Sequence, residues 1–337
     1  MKTPPARASH RPFLHPFVTR PSKALLISRS TGVGLDRDVE ILESSLRAAG
    51  LSPEVRRPRG ISLWARFLPP PGPRLPLVFV ERIHPRWLSH GQPRFLVPNQ
   101  ERFPRRHLAR LKHVDHVLCK TAHARERFAP HHPSVHHLGF TSRDLLLANP
   151  EPDYRRFLHL AGRSTLKGTE DLLALWAGRP DWPPLVLVID PRNAPAPPPA
   201  NVQLVDRRLD TRELRELQNR CGIHLCPSRS EGWGHYLVEA ASCRAVVLTT
   251  DGPPMNEIIT PARGVLVRCS RSEPRHLGTN YYVDRESLAG AVDSLLERSP
   301  AQLAALGAAA RAWFEENDRR FRTRSPLLLQ SLLGANP

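Results

Sequence analysis

The chain has 337 residues, 40% apolar and 24% charged, which is enough to bury the cores of two ordinary domains and excludes a disordered polypeptide. Its 49 basic residues against 32 acidic ones leave a net charge of +17, a field that draws anionic partners such as sugar nucleotides, phospholipid head groups or nucleic acid. Nucleic acid is not expected, because the arginines are scattered and aromatic residues make up only 6%; no apolar run reaches the roughly 20 residues that span a bilayer.

Residues 1–22 are basic and proline-rich without an apolar core segment, so a flexible tail is expected there rather than a signal peptide. Ala24 to Ser28 suits a buried strand. Gly32 and Gly34 make a turn, and Asp36 to Ala49 places Val39, Ile41, Leu42 and Leu46 at helical spacing. Strand, glycine turn and helix open a parallel α/β domain. Leu77 to Val80 and Val114 to Leu118 read as further strands, Gly72 to Pro76 as a turn, and His107 to Lys112 as a short helix. Ala148 to Asp153, polar and with two prolines, reads as a hinge.

The pattern then restarts. Strands are expected at Phe157 to Ala161, Leu185 to Ile189, Val202 to Val205, around His224 and Leu225, and at Ala245 to Leu248. Helices are expected at Thr169 to Trp176, Thr211 to Arg220 and Val238 to Ser242. Ala194 to Ala200 is a proline-rich surface loop. The last 40 residues are helical, with a second segment from about Ser325 to Leu333. Alternating strands and helices imply parallel sheets with helices on both faces. The domain division is therefore a tail at 1–22, an N-terminal Rossmann-like domain at 23–149, a C-terminal domain at 150–316, and a terminal helix at 317–337 returning to the first domain. The five cysteines (Cys119, Cys221, Cys226, Cys243, Cys269) lack zinc-ligand spacing and point to reduced thiols in a cytoplasmic protein.

The segment 227–257, PSRSEGWGHYLVEAASCRAVVLTTDGPPMNE, carries the chemistry. Gly232 and Gly234 beside Glu231 leave bare amides at a helix N-terminus, a cradle for a diphosphate. Glu239, eight residues after Glu231, can accept hydrogen bonds from two neighbouring sugar hydroxyls. Glu257 follows the next strand, on the carboxyl edge where ligands bind in open α/β sheets.

This arrangement, E-x7-E within EGWGHYLVE followed by TTDGPPMNE, resembles the retaining GT-B glycosyltransferases of the glycosyl transferases group 1 family over about residues 155–265. The resemblance implies an α/β fold of GT-B type, two Rossmann-like parallel-sheet domains facing each other across a cleft. It implies sugar transfer from a nucleotide-sugar donor to a hydroxyl acceptor (glycan, lipid-linked or other) with retention. No metal and no cofactor is expected, the nucleotide sugar being a substrate. Glu231 should then meet the donor sugar, Gly234 and its neighbours the diphosphate, and Glu239 the ribose. His235, and Pro253-Pro254 before Glu257, depart from the family pattern beside the donor sugar. Arg163 and Lys167 match the family's phosphate-neutralising cations, although only three residues separate them. Gly32 and Gly34 match its N-terminal glycine loop, with an ordinary tight turn as the alternative. Asn99 and Glu101 are acceptor-side candidates, with surface capping equally open; His84 is a third, although a lone histidine in a chain with sixteen is more often structural. The basic tail and cleft edges suit peripheral contact with anionic membrane, where cell-envelope glycans are built. An epimerase-like enzyme on the same fold, or a non-catalytic nucleotide-sugar-binding protein, is the alternative reading.

Overall fold

The computed structural model describes residues 22–29, 33–58, 75–195 and 197–334. The basic tail up to residue 21, Gly32 and most of the turn before residue 75 lie outside the described residues.

The N-terminal domain is built from β1 (Ser22–Ile27), α1 (Val33–Ala48), β2 (Leu51–Arg56), β3 (Leu75–Glu81), β4 (Gly91–Pro98), β5 (His116–Cys119), α2 (Ala122–Phe128) and β6 (Val135–His137). Its sheet runs β2-β1-β3-β4-β5-β6, parallel throughout. The apolar runs of β1 and β3 form it because both of their faces are covered: Leu25, Ile27, Leu77 and Phe79 are buried in one layer, Ala24, Leu26, Val78 and Val80 in the other. The short helix read at His107 to Lys112 is a 3₁₀ segment, Arg105–His113.

The C-terminal domain contains β7 (Asp153–Gly162), α3 (Thr169–Gly178), β8 (Leu185–Ile189), β9 (Val202–Val205), α4 (Thr211–Arg220), β10 (Cys221–Cys226), α5 (His235–Ser242), β11 (Val246–Thr250), α6 (Met255–Ile258) and β12 (Gly264–Val267). The parallel order β9-β8-β7-β10-β11-β12 reverses between β7 and β10, a doubly wound topology with its switch point there. In the first sheet the switch lies between β1 and β3.

Three further elements complete the structure, and two of them, the hairpin and α8, tie the domains together. An antiparallel hairpin, β13 (Cys269–Arg275) and β14 (Gly278–Val283), leaves the second domain, and its tip residue Leu277 is buried in the core layer of the first. Helix α7 (Arg285–Glu297) packs under the second sheet. Helix α8 (Pro300–Gly334) is one continuous element of 35 residues with Pro326 inside it, where the sequence suggested two segments. Its first half buries Ala310 and Phe314 in a layer shared with α5, and its second half lies on α1, where Ser325 Oγ and Ser45 Oγ are 2.7 Å apart. Among the described residues no helix is long and apolar enough to cross a membrane.

Candidate functional site

The loop after β10 and the loop after β7 meet at the switch point of the second sheet. Here Glu231 Oε1 accepts from Lys167 Nζ at 2.6 Å and from Ser228 Oγ at 2.5 Å. Lys167 Nζ also stands 3.4 Å above the ring of Tyr236, which burial pushes well above the ordinary phenol range. The side chains of Lys167 and Glu231 are both mostly buried, so the pair is largely shielded from water. Gly234 opens α5 with φ of 92°, a left-handed conformation that a residue with a Cβ resists. No side chain caps this helix. The amides of Leu237 and Val238 turn back to the Gly234 carbonyl, which leaves those of His235 and Tyr236 at the free end.

The first domain closes directly onto these residues. Arg37, on α1, places Nη1 at 2.6 and 2.8 Å from the two oxygens of Glu239, and only the longer approach has hydrogen-bond geometry. Glu239 is 1% exposed, and burial raises its carboxyl above the usual range in spite of Arg37. The Glu257 oxygens accept from the amides of Ala122 and His123 at 2.9 and 2.8 Å, the first turn of α2. Gln100 Nε2 donates to the Glu231 carbonyl at 2.8 Å. A Cβ at Gly232 would lie 2.6 Å from Asn99 Oδ1, so a side chain here would have to displace Asn99 from the facing wall.

Between the walls runs a buried polar chain. Ser142 Oγ is 2.8 Å from His235 Nδ1, and His235 Nε2 is 3.0 Å from Asp38 Oδ1. Asp38 pairs through its other oxygen with Lys120, which donates to Asn99 Oδ1 at 2.9 Å. Burial works against the Asp38 charge, yet Lys120 and His235 hold its carboxyl below the ordinary range. Glu101 is the opposite case. It is 6% exposed, its Oε2 has no hydrogen-bond partner, and burial pushes its carboxyl up to about 7.

The structure thus brings together Glu231, Lys167, Gly232, Gly234, His235, Glu239, Glu257, Asn99 and Glu101 along one interdomain face. Glu231 and Glu239 do not share a partner: one faces Lys167, the other Arg37. Arg163 is set apart, 72% exposed and 3.8 Å from Asp190. Gly34 is an exposed residue in the first turn of α1, and Gly32 lies outside the described residues. His84 sits in the loop after β3, its ring centroid 6.4 Å from that of Phe79. Sequence reasoning missed Arg37, Asp38, Lys120 and Ser228. Two signals were available: Lys120 is one of only five lysines, and Asp36-Arg37-Asp38 is an Asp-x-Asp triplet. On helix α1 those two carboxylates point about 200° apart, and Asp38 is committed to Lys120 and His235. A cavity of about 380 Å³ lined by Arg156, Leu204, Arg207 and Leu217 lies at β9 and α4, away from this face.

Residues 198–313, about a third of the chain, match the family described as glycosyl transferases group 1. Glu231, Glu239 and Glu257 all fall within the match. No curated protein matches the chain by sequence. Among solved structures, the chain is similar to a glycosyltransferase from Rickettsia africae ESF-5, with a TM-score of 0.70 at 12% identity over 94% of this chain and 100% of that one. It is similar to sucrose-phosphate synthase from Thermosynechococcus elongatus, at 0.66 and 16% over 94% and 100%. It also resembles Anabaena Alr3699/HepE in complex with UDP and glucose, at 0.67 and 13% over 94% and 100%. At these identities the likeness is one of fold, and the fold is GT-B. Together with the family match it supports sugar transfer as the class of activity.

Proposed function

We propose that the protein transfers a sugar from a nucleotide-sugar donor to a hydroxyl acceptor, with retention at the anomeric carbon and without a metal ion. The observation that carries this reading is the Lys167–Glu231 pair beside the uncapped start of α5, on the carboxyl edge of the doubly wound sheet. Lys167 and the amides of His235 and Tyr236 supply positive charge where a departing diphosphate gains negative charge. Glu231 accepts from a hydroxyl of the donor sugar. Glu239 accepts from the ribose once Arg37 withdraws, which makes the observed closure a competitor of the donor. The anomeric C–O bond to phosphate breaks, the acceptor oxygen bonds to the same face, and the acceptor proton goes to the departing phosphate oxygen. Domain contact excludes water, so transfer outruns hydrolysis.

The uridine nucleotide is the first donor base to test, because the Anabaena protein of the same fold holds UDP. The proposal of metal independence is supported by Asp36 and Asp38 facing apart on α1, with Asp38 already paired. Calorimetry against UDP-, GDP- and ADP-sugars, followed by nucleotide release with a pooled acceptor extract, tests the reading. Lys167→Ala should lower kcat about 100-fold or more, EDTA should leave the rate unchanged, and the product should keep the donor's anomeric configuration. Wild-type protein that binds no nucleotide sugar, or a Lys167→Ala variant with full turnover, would overturn it.

A further inference from the structure

Two buried hydroxyls stand behind Glu231. Ser228, in the loop after β10, is 0% exposed, and Tyr236, the second residue of α5, is 8% exposed. Ser228 Oγ lies 2.5 Å from Glu231 Oε1 and 2.5 Å from Tyr236 Oη. The direction of this chain follows from the group at its end. A carboxylate only accepts, so the serine proton goes to Glu231, and the Ser228 oxygen then receives the proton of Tyr236. Burial holds the Tyr236 phenol well above its ordinary range, so its proton stays in place to be donated.

The same tyrosine also holds Lys167. The ammonium stands 3.4 Å from the centroid of the Tyr236 ring and 2.6 Å from Glu231 Oε1. An ammonium has three protons. One points to Glu231 and one to the ring face, which leaves a single N–H for a ligand. Glu231 Oε1 is likewise filled, by Lys167 and Ser228, and no described residue donates to Oε2. Short spacings build this unit. Ser228 lies three residues before Glu231 and Tyr236 five after it, because the left-handed Gly234 turns the chain into α5 at once.

We infer that Tyr236 and Ser228 are positioning residues for the transfer. The tyrosine hydroxyl acts through Ser228 on Glu231, and the tyrosine ring acts on Lys167, so that one carboxylate oxygen and one ammonium proton are left for the donor. The inference rests on the glycosyl-transfer reading of this site and narrows its specificity: Glu231 reads a single sugar hydroxyl through Oε2 instead of clasping two neighbours. Without the relay the carboxylate is free to turn about its last bond, and a misplacement of that size costs turnover. The nucleoside diphosphate, held by other groups, keeps its affinity.

The test uses the full chain and compares Tyr236→Phe, Ser228→Ala and the double variant with the parent. It reads calorimetric affinity for UDP, GDP and ADP alone, and kcat as diphosphate release from the sugar nucleotide that the parent turns over with a pooled acceptor extract. Tyr236→Phe keeps the ring, so Lys167 retains its seat. Diphosphate affinity should equal that of the parent while kcat falls about ten-fold. Ser228→Ala should give the same split, and the double variant should be no slower than Ser228→Ala, because the relay is already cut. Tyr236→Leu removes the ring as well and should weaken diphosphate binding about five-fold. Among sugar nucleotides deoxygenated at single positions, one alone should lose no further affinity when Glu231→Ala is introduced; two such positions would refute the single-hydroxyl reading. Full turnover by Tyr236→Phe, or losses that multiply in the double variant, overturns the relay and leaves the donor reading standing. Diphosphate affinity and turnover that fall together in Tyr236→Phe would make the hydroxyl a general support of α5 and overturn it too. Wild-type protein with neither nucleotide binding nor turnover removes the donor reading and this assignment with it.

Discussion

Glu101 and Asp38 are buried carboxyls of the same cleft wall, and burial acts against ionisation at both. Asp38 has Lys120 and His235 as hydrogen-bonded partners and stays ionised. Glu101 has no comparable partner: Arg102 Nε is 3.7 Å away, and its Oε2 is unpartnered. Its carboxyl is therefore raised from 4.5 to about 7. A raised carboxyl contributes stability that is complete below pH 4.5 and disappears as pH climbs through 7. The span corresponds to roughly 3 kcal/mol. Glu101→Gln should remove this slope, so that urea unfolding shows the variant gaining on the parent between pH 4.5 and 7 and exceeding it above. Parallel pH curves for the two proteins would refute the assignment. Asp38 predicts the reverse sensitivity. Asp38→Asn strands the Lys120 ammonium, which is 1% exposed, and should cost about 3–5 kcal/mol. Adding Lys120→Met should recover much of that loss, because the stranded charge is then gone. A double variant as unstable as Asp38→Asn would show that the pair matters for its shape rather than its charge.

At the scale of elements, the β13–β14 hairpin links the two domains most directly. Leu277 is 1% exposed among Phe103, Phe128 and Leu111 of the first domain. Its amide donates to the Gln100 carbonyl at 3.2 Å, and the Leu277 carbonyl accepts from Arg127 Nε at 2.9 Å. On the other side, the Tyr281 amide donates to the Arg229 carbonyl at 2.7 Å, two residues before Glu231. The hairpin thus joins the wall that holds Glu101 to the loop that holds Glu231. Leu277→Ala should cost roughly 2–4 kcal/mol. Hydrogen exchange should show residues 100–102 and 269–283 losing protection together, while β7 to β12 keep theirs. Uniform loss across both sheets would mean that the hairpin is not a separable link. This element could not be read from the sequence, because CSRSEPR is solvent-facing along its length and shows no apolar alternation. β2 and β4 were hidden in the same way by Pro53 and Pro93, residues that usually mark strand edges. By contrast β1, β8, β10 and β11 were legible as short apolar runs buried on both faces. In the site, the glycine-flanked glutamates were legible because their spacing lies within one loop and one helix. The partners that now engage them were not, since Arg37 lies 202 positions from Glu239 and Ala122 lies 135 from Glu257.

Taken whole, the molecule is held in a closed arrangement by groups that the donor itself would need. Arg37 covers Glu239, the start of α2 covers Glu257, and Gln100 holds the Glu231 carbonyl. Helix α8 and the core layer it shares with α1 and α5 keep the domains joined while these polar contacts exchange. A ligand shifts such an equilibrium only by its preference for one state over the other. If Arg37 competes with the ribose for Glu239, part of the intrinsic donor affinity is spent on displacing it, and the apparent affinity falls by the fraction of competent molecules. Arg37→Ala should then bind the productive nucleotide sugar tighter, by about three- to ten-fold, while Glu239→Ala should bind it more weakly than the parent. Small-angle scattering of the unliganded Arg37→Ala protein should also show a larger radius of gyration, because one charged link between the domains is gone. Weaker donor binding by Arg37→Ala would reverse the assignment: Arg37 would then be a group that grips the diphosphate, and its contact with Glu239 a resting position of that grip rather than a barrier to it.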